Sequence, residues 1–161
     1  MKKQKIYVLF SHGQEDTEYK IHIATTEAKE ALNKWNELGL VEIYNDFHDT
    51  PLSPEILQHK NMLDTPYMDD NRRYALDSFD IKVPKNKEIY AVVINGKENF
   101  WLADMHGVFK SKEEAIDFIK YRLQEWEITD NPEEYCEALE ERNSMIDPQS
   151  MFWDIVRFNI E

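Results

Sequence analysis

The feature of this sequence that most restricts its possible folds is an internal repeat. The segment 5–15 aligns without a gap on the segment 88–98. In each copy, a run of β-branched and aromatic residues is followed by a turn that contains a glycine, Gly13 in the first and Gly96 in the second. This pattern is typical of the first strand of a β-hairpin. The repeat therefore predicts two hairpins of the same kind.

Each predicted hairpin leads into a helix. Second strands are expected over 18–24 and over 100–109, the latter interrupted near Gly107, and apolar residues at helical spacing follow both. The second helix is predicted to begin at Ser111, because Ser111 and Glu114 have the spacing of a capping box. In that motif each side chain accepts a hydrogen bond from a backbone N–H that the helix itself leaves unpaired.

The repeat and the chain length together predict the fold class. The chain has 161 residues, the usual length of one domain, so we expect a single α+β domain over 1–161. Its antiparallel sheet would come from two repeated β-hairpin–helix units, 5–39 and 88–123, with the helices packed mainly on one face. The segment 49–80 is predicted to be an irregular connection, apart from a short helix that begins at Ser53 and Pro54, because proline suits the first position of a helix. The segment 151–160 is predicted to be a strand.

The charge of the chain argues against several classes of partner. The formal net charge is -13, which repels phosphate backbones and anionic lipid, so we predict no direct nucleic-acid binding and no membrane binding. The apolar runs are far shorter than the roughly 20 residues of a membrane-spanning helix. Cys136 is the single cysteine and forms no internal disulfide, which favours a reducing compartment and a cytoplasmic location.

The acidic residues are concentrated near the C-terminal end. The segment 125–141 contains eight of them and no Lys or Arg. Asn131 and Pro132 predict the start of a helix, on which the carboxylates lie opposite an apolar stripe. A solvated helix face has the same pattern; the lack of cations favours a surface that docks on a basic protein. The predicted partner-binding residues are Glu125, Glu127, Asp130, Glu133, Glu137, Glu140 and Glu141.

Motifs for catalysis or cofactor binding are absent from the sequence. It contains only four glycines, whereas the loops that bind nucleotide phosphates need several, so no catalytic residue and no cofactor are predicted. His22 is predicted to face solvent, because it alternates with Ile21 and Ile23 along its strand. A loose group of possible metal ligands, for which oxygen and imidazole donors are suited, consists of Asp46, His48, Asp49 and His59.

These observations predict a non-enzymatic acidic binding protein. It would be an inhibitor, immunity or counter-defence protein that docks on a basic surface of a protein partner, such as a nucleic-acid-binding protein. Two alternatives stay open. One is a small metal-dependent hydrolase that uses the four possible ligands, Asp46, His48, Asp49 and His59. The other is an adaptor of unknown role.

Overall fold

The protein has an α+β fold with two antiparallel sheets. The computed structural model describes residues 2–13, 19–40, 52–59, 62–65, 70–96 and 99–161. Within these ranges the chain forms eight strands and four helices. They belong to two compact units: the first contains Met1–Val83 and Asn159–Glu161, and the second contains Pro84–Phe158.

The first unit is built on a four-stranded sheet with the order β2-β1-β4-β3. The backbone N–H of Glu161 adds a bond of 2.8 Å to the carbonyl oxygen of Ala24 on β2. In chain order the elements are β1 (Gln4–Gly13), β2 (Tyr19–Thr25), α1 (Ala28–Glu37), α2 (Pro54–His59), β3 (Met62–Asp64) and β4 (Arg72–Ile81).

The core of the first unit lies between this sheet and its helices. Tyr7 and Leu9 of β1 pack in one cluster with Trp35 of α1 and Leu57 of α2. The alternate residues of β1, such as Val8, are also fully buried. Burial on both faces explains why β1 is a continuous apolar run rather than an alternating one.

The second unit repeats this order of elements with a second four-stranded sheet, β6-β5-β8-β7. Val92 of β5 packs there with Ile119 and Leu139 from its helices and with Trp153 of β8. Its elements are β5 (Glu88–Gly96), β6 (Asn99–Phe109), α3 (Lys112–Glu125), α4 (Pro132–Arg142), β7 (Ser144–Ile146) and β8 (Met151–Asn159).

Both hairpins contain a β-bulge at the same place. In the first, the pairing register shifts after Leu9, and the extra residue on β2 is His22. In the second, the register shifts after Val92, and the extra residue on β6 is His106. The gap-free alignment of the two copies places Leu9 on Val92. The interruption predicted near Gly107 is therefore a bulge within a continuous strand.

The structure confirms the α+β class and differs from the sequence prediction in the number of sheets. One sheet from two hairpins was expected, but each hairpin pairs with strands of its own unit. The segment 49–80 contains the helix predicted at Pro54, which is α2, but it also contains β3 and most of β4 where an irregular connection was predicted. β4 pairs with β1 along all ten residues, from Gly13↔Arg72 to Gln4↔Ile81. The final strand, β8, lies where the sequence places one.

Candidate functional site

The seven predicted partner-binding residues form what we call the acidic surface. Their side chains are all exposed, and they follow one another from the end of α3, through a turn, along α4. Glu127 takes the left-handed conformation in that turn, with φ 54°. Asn131 precedes α4 as predicted, but its side chain makes no cap bond, so Pro132 alone marks the start of the helix.

A groove of about 230 Å³ lies between α3 and α4. Three residues of the acidic surface line it from α4, at the helical spacing i, i+4 and i+7 that places them on one face. Two α3 residues and the single cysteine complete the lining, which consists of Ile116, Lys120, Glu133, Cys136, Glu137 and Glu140.

Cations from α3 lie beside the acidic surface, which a charge count along the sequence does not show. Arg122 Nη1 is 2.9 Å from the Glu125 carboxylate, and Lys120 Nζ is 4.0 Å from that of Glu133. Lys112 Nζ donates to the carbonyl oxygen of Glu140 at 3.0 Å. The helix that carries most of the acids therefore faces a helix that supplies part of the opposite charge.

The cysteine in this groove is not a reactive thiol. Cys136 is only 2% exposed, and burial is the largest cause that raises its pKa to about 11. The charge of Glu133 also raises that pKa, whereas Lys120 lowers it. Because the thiolate is the nucleophile, this environment suppresses thiol chemistry near neutral pH.

The predicted metal ligands lie mostly outside the described residues. Asp46, His48 and Asp49 lie outside the described residues, and His59 ends α2 without a described side chain. Among the side chains that the structure does describe, no three His, Cys, Asp or Glu residues are grouped to hold a metal. The metal-dependent hydrolase stays a prediction.

The structure also reveals a polar cluster in the first unit, which we call the His22 network: Ser11, His22, Asp70, Arg72 and Tyr74. Ser11 Oγ lies 2.8 Å from His22 Nε2. Arg72 donates to the same oxygen from Nε at 2.9 Å and to the Ser11 carbonyl oxygen from Nη2 at 3.1 Å. Ser11 is fully buried, so it positions His22 and Arg72 and is not an accessible nucleophile.

Tyr74 and Asp70 complete the network. The Tyr74 hydroxyl donates to Asp70 Oδ2 at 2.6 Å, and its ring centroid is 5.4 Å from that of His22. Burial and this hydrogen bond raise the pKa of Tyr74 to about 12. Burial is also the largest cause that lowers the pKa of His22, followed by the positive charges of Arg72, Lys34 and Lys20.

Sequence reasoning missed this network because of the bulge. Strict alternation along β2 predicts that His22 points to solvent, but the extra residue changes the direction of its side chain. His22 is instead half-buried and bonded to a buried serine. A serine on one strand of the predicted hairpin and a histidine in the middle of the other, Ser11 and His22, are the only signal in the sequence, and it is a weak one.

Comparisons with protein-family models, with curated proteins and with solved structures found no match. In the part of the chain that the structure describes, no helix is both long enough and apolar enough to cross a membrane. What the protein does must therefore be inferred from the geometry of its surfaces.

Proposed function

We propose that this is a non-enzymatic, cytoplasmic binding protein of the inhibitor, immunity or counter-defence type, which docks its acidic surface on a basic surface of a protein partner. The observation that carries the proposal is the groove between α3 and α4, where three exposed carboxylates, Glu133, Glu137 and Glu140, lie side by side. Carboxylates grouped in this way attract a basic partner over a distance and fix its orientation on contact.

The cations beside the acidic surface are compatible with this role. The Lys120–Glu133 pair has a long N···O distance of 4.0 Å, and 78% of the Glu133 side chain is exposed. The Arg122–Glu125 pair is shorter but also lies at the surface. Exposed pairs of this kind contribute only about 0–1 kcal/mol. A partner cation can therefore replace Lys120 or Arg122 at little cost.

The shape of the groove favours a lysine or arginine side chain as the group that enters it. The aliphatic side chain of Ile116 forms part of the groove, and the carboxylates of α4 stand beside it. Lysine and arginine pack their methylene groups against apolar surface while the charged end stays with polar groups. One such side chain can thus contact Ile116 and a carboxylate at the same time.

The proposal is tested by removing the charge of the groove without removing its shape. In a triple variant, each of the three carboxylates becomes an amide. The binding probe is a basic protein that the wild-type protein has captured and that has then been purified. We expect binding at low salt to weaken by about tenfold or more, since each lost charge contributes about 0.5 kcal/mol or more. The loss should appear mainly in the association rate. The substitutions are Glu133→Gln, Glu137→Gln and Glu140→Gln.

A matched control changes the net charge equally at another helix. Three exposed acids at α1, in the first unit, serve this purpose. Their replacement should leave partner affinity within about twofold of wild type, because screening weakens exposed charges that lie outside the contact. Equal loss of affinity in the two triple variants would show that only the total charge matters, and no loss in either would refute docking at the groove. The control substitutions are Glu27→Gln, Glu30→Gln and Glu37→Gln.

We also propose that the two units are copies of one repeat that extends beyond the hairpin and helix to a ββααββ unit, with the helices mainly on one face of each sheet. Three findings support it. The two sheets have the same strand order, and the register shift that leaves His22 or His106 as the extra residue occurs at the same aligned position of β1 and β5. The second helix of each unit begins at a proline, Pro54 or Pro132. An experimental structure in which one bulge is missing, or lies at another step, would contradict common descent of the hairpins.

A further inference from the structure

The His22 network holds one ring nitrogen of His22 in a fixed role. Arg72 Nε–H donates to Ser11 Oγ, and His22 Nε2 lies 2.8 Å from the same oxygen. Because Ser11 is buried, its hydroxyl hydrogen needs an acceptor, and of these two partners only His22 Nε2 can accept. On this ground we assign the ring hydrogen of His22 to Nδ1. The contact between the Tyr74 and His22 rings further restricts the orientation of the imidazole. His22 is thus a half-buried, oriented N–H donor.

Positive charge is concentrated around this donor, although the whole chain has a net charge of -13. Lys20 of β2 lies opposite Ser11 in the hairpin, Lys34 comes from the last turn of α1, and Arg72 comes from β4. All three are close enough to act electrostatically on the imidazole of His22, and Asp70 opposes them. Lys34 also pairs with Glu37, at 3.1 Å on the surface.

The hairpin does not need this network in order to fold. The second unit builds the same bulge, with His106 as its extra residue, but the alignment places Ile94 at the position of Ser11. Ile94 packs in the apolar core of its unit. Burying polar groups costs free energy that an apolar side chain avoids. The polar cluster of the first unit therefore requires an explanation other than the stability of a bulged hairpin.

We propose that the His22 network is a binding site for a phosphate group. His22 Nδ1–H donates to one phosphate oxygen, and Lys20, Lys34 and Arg72 balance the charge. A phosphate carries up to two negative charges and three acceptor oxygens, so it matches a site with several nearby cations better than a singly charged carboxylate does. The site is independent of the acidic surface, and its test does not involve a protein partner.

The test is a titration of the wild-type protein with inorganic phosphate at constant ionic strength, followed by NMR of the His22 ring. We expect a saturable shift of the His22 Cε1–H resonance, and a pKa of His22 that rises when phosphate is bound, because the anion favours the charged ring. The same concentrations of chloride should have no saturable effect. If about 10 mM phosphate produces no saturable shift, the proposal is wrong.

Two variants distinguish a site from general attraction. Lys34→Gln should weaken phosphate binding by about threefold or more, whereas Lys29→Gln, an equal change at an exposed position of the same helix, should not. Equal effects of the two would overturn the site. Neither residue is buried, so both variants should fold, and the wild-type titration tests the proposal without any variant.

Further ligands identify the source of the phosphate and check its chemical class. A phosphoserine peptide that binds more tightly than inorganic phosphate would assign the site to a phosphorylated protein, and the reverse order would assign it to a free phosphate or small phosphate ester. Either result supports a phosphate site. Acetate that shifts His22 at the same or lower concentration than phosphate would show a general carboxylate site, and would refute the assignment.

Discussion

Asp147 stabilises the turn between β7 and β8. The loss of stability on replacing its side chain is the mutational effect that the structure defines best. The residue is only 4% exposed. Its Oδ1 accepts hydrogen bonds from the backbone N–H groups of Gln149 at 2.8 Å and Met151 at 3.0 Å. Its Oδ2 accepts from Trp153 Nε1 at 2.8 Å. One carboxylate therefore satisfies three donors, of which the indole N–H is fully buried.

We expect Asp147→Ala to lower the free energy of unfolding by about 4 kcal/mol. An unsatisfied buried donor costs about 1–3 kcal/mol, and each lost bond to a turn N–H about 0.5–1.5 kcal/mol. The sum is a large part of the roughly 5–15 kcal/mol that stabilises a typical domain. Urea denaturation followed by circular dichroism measures the loss.

Two further variants test whether the loss of stability comes from the three hydrogen bonds of Asp147. Asp117→Ala, at an exposed position of α3, should change stability by no more than about 0.5 kcal/mol. In a Trp153→Phe background, Asp147→Ala should cost about 1–3 kcal/mol less than in wild type, because the indole donor is already gone. If Asp147→Ala unfolds at the same urea concentration as Asp117→Ala, the reasoning about the three donors is wrong.

Three other predictions follow from single residues. Ser111 Oγ accepts a bond from Glu114 N–H at 3.2 Å, so Ser111→Ala should destabilise the protein by about 1 kcal/mol in the same urea assay; no change would show that the cap contributes nothing. The raised pKa of Cys136, about 11, predicts a thiolate fraction of about one in a thousand at pH 8 and slow disulfide exchange, so rapid labelling of the folded protein would contradict it. The pKa of His22 is lowered from 6.5 in the folded protein, so near that pH the unfolded chain binds more protons than the folded one. The contribution of His22 to stability is therefore present above about pH 6.5 and is lost as the pH falls below that value. His22→Gln should remove this part of the acid destabilisation, and an unchanged pH profile would refute it.

The sequence was sufficient for elements that have local signals. Ser111 was predicted to cap a helix, and its hydroxyl does accept the Glu114 N–H. The predicted helix start at Pro54 is also present, with Ser53 Oγ accepting the Ile56 N–H at 3.3 Å. In each case the chemistry that starts the helix involves residues within one turn, so no knowledge of the tertiary structure is needed.

β4 shows why other elements could not be predicted. Its sequence contains charged residues, among them Arg72, Arg73 and Asp80, which weaken the pattern of a strand. The strand exists because β1 offers a long, buried partner, with which every residue from Arg72 to Ile81 is paired. Tertiary pairing of this kind overrides intrinsic β-propensity, and it depends on residues that are distant in the sequence.

The same limit applies to both candidate sites. Lys120 and Arg122 lie on α3 and were outside the acidic segment, so a count along the chain could not show that they pair with its residues. Ser11, His22 and Arg72 meet only because two strand pairings and a bulge bring three distant segments together. The exposure of the acidic residues was predictable from helical periodicity, whereas these partners were not.

The two units have the same strand order but differ in two features, the second helix and the residues at the bulge. Both contain hairpins with a bulged histidine and second helices that begin at proline. The second helix of the first unit, α2, has six residues and one acid in its first turn, Glu55, whereas α4 has eleven residues and five glutamates. At the bulge, by contrast, the first unit is the more polar of the two. It has the His22 network, whereas the second unit has an apolar core at the aligned position. Neither feature is required by the strand order that the units share, so each is a better candidate for binding than for folding.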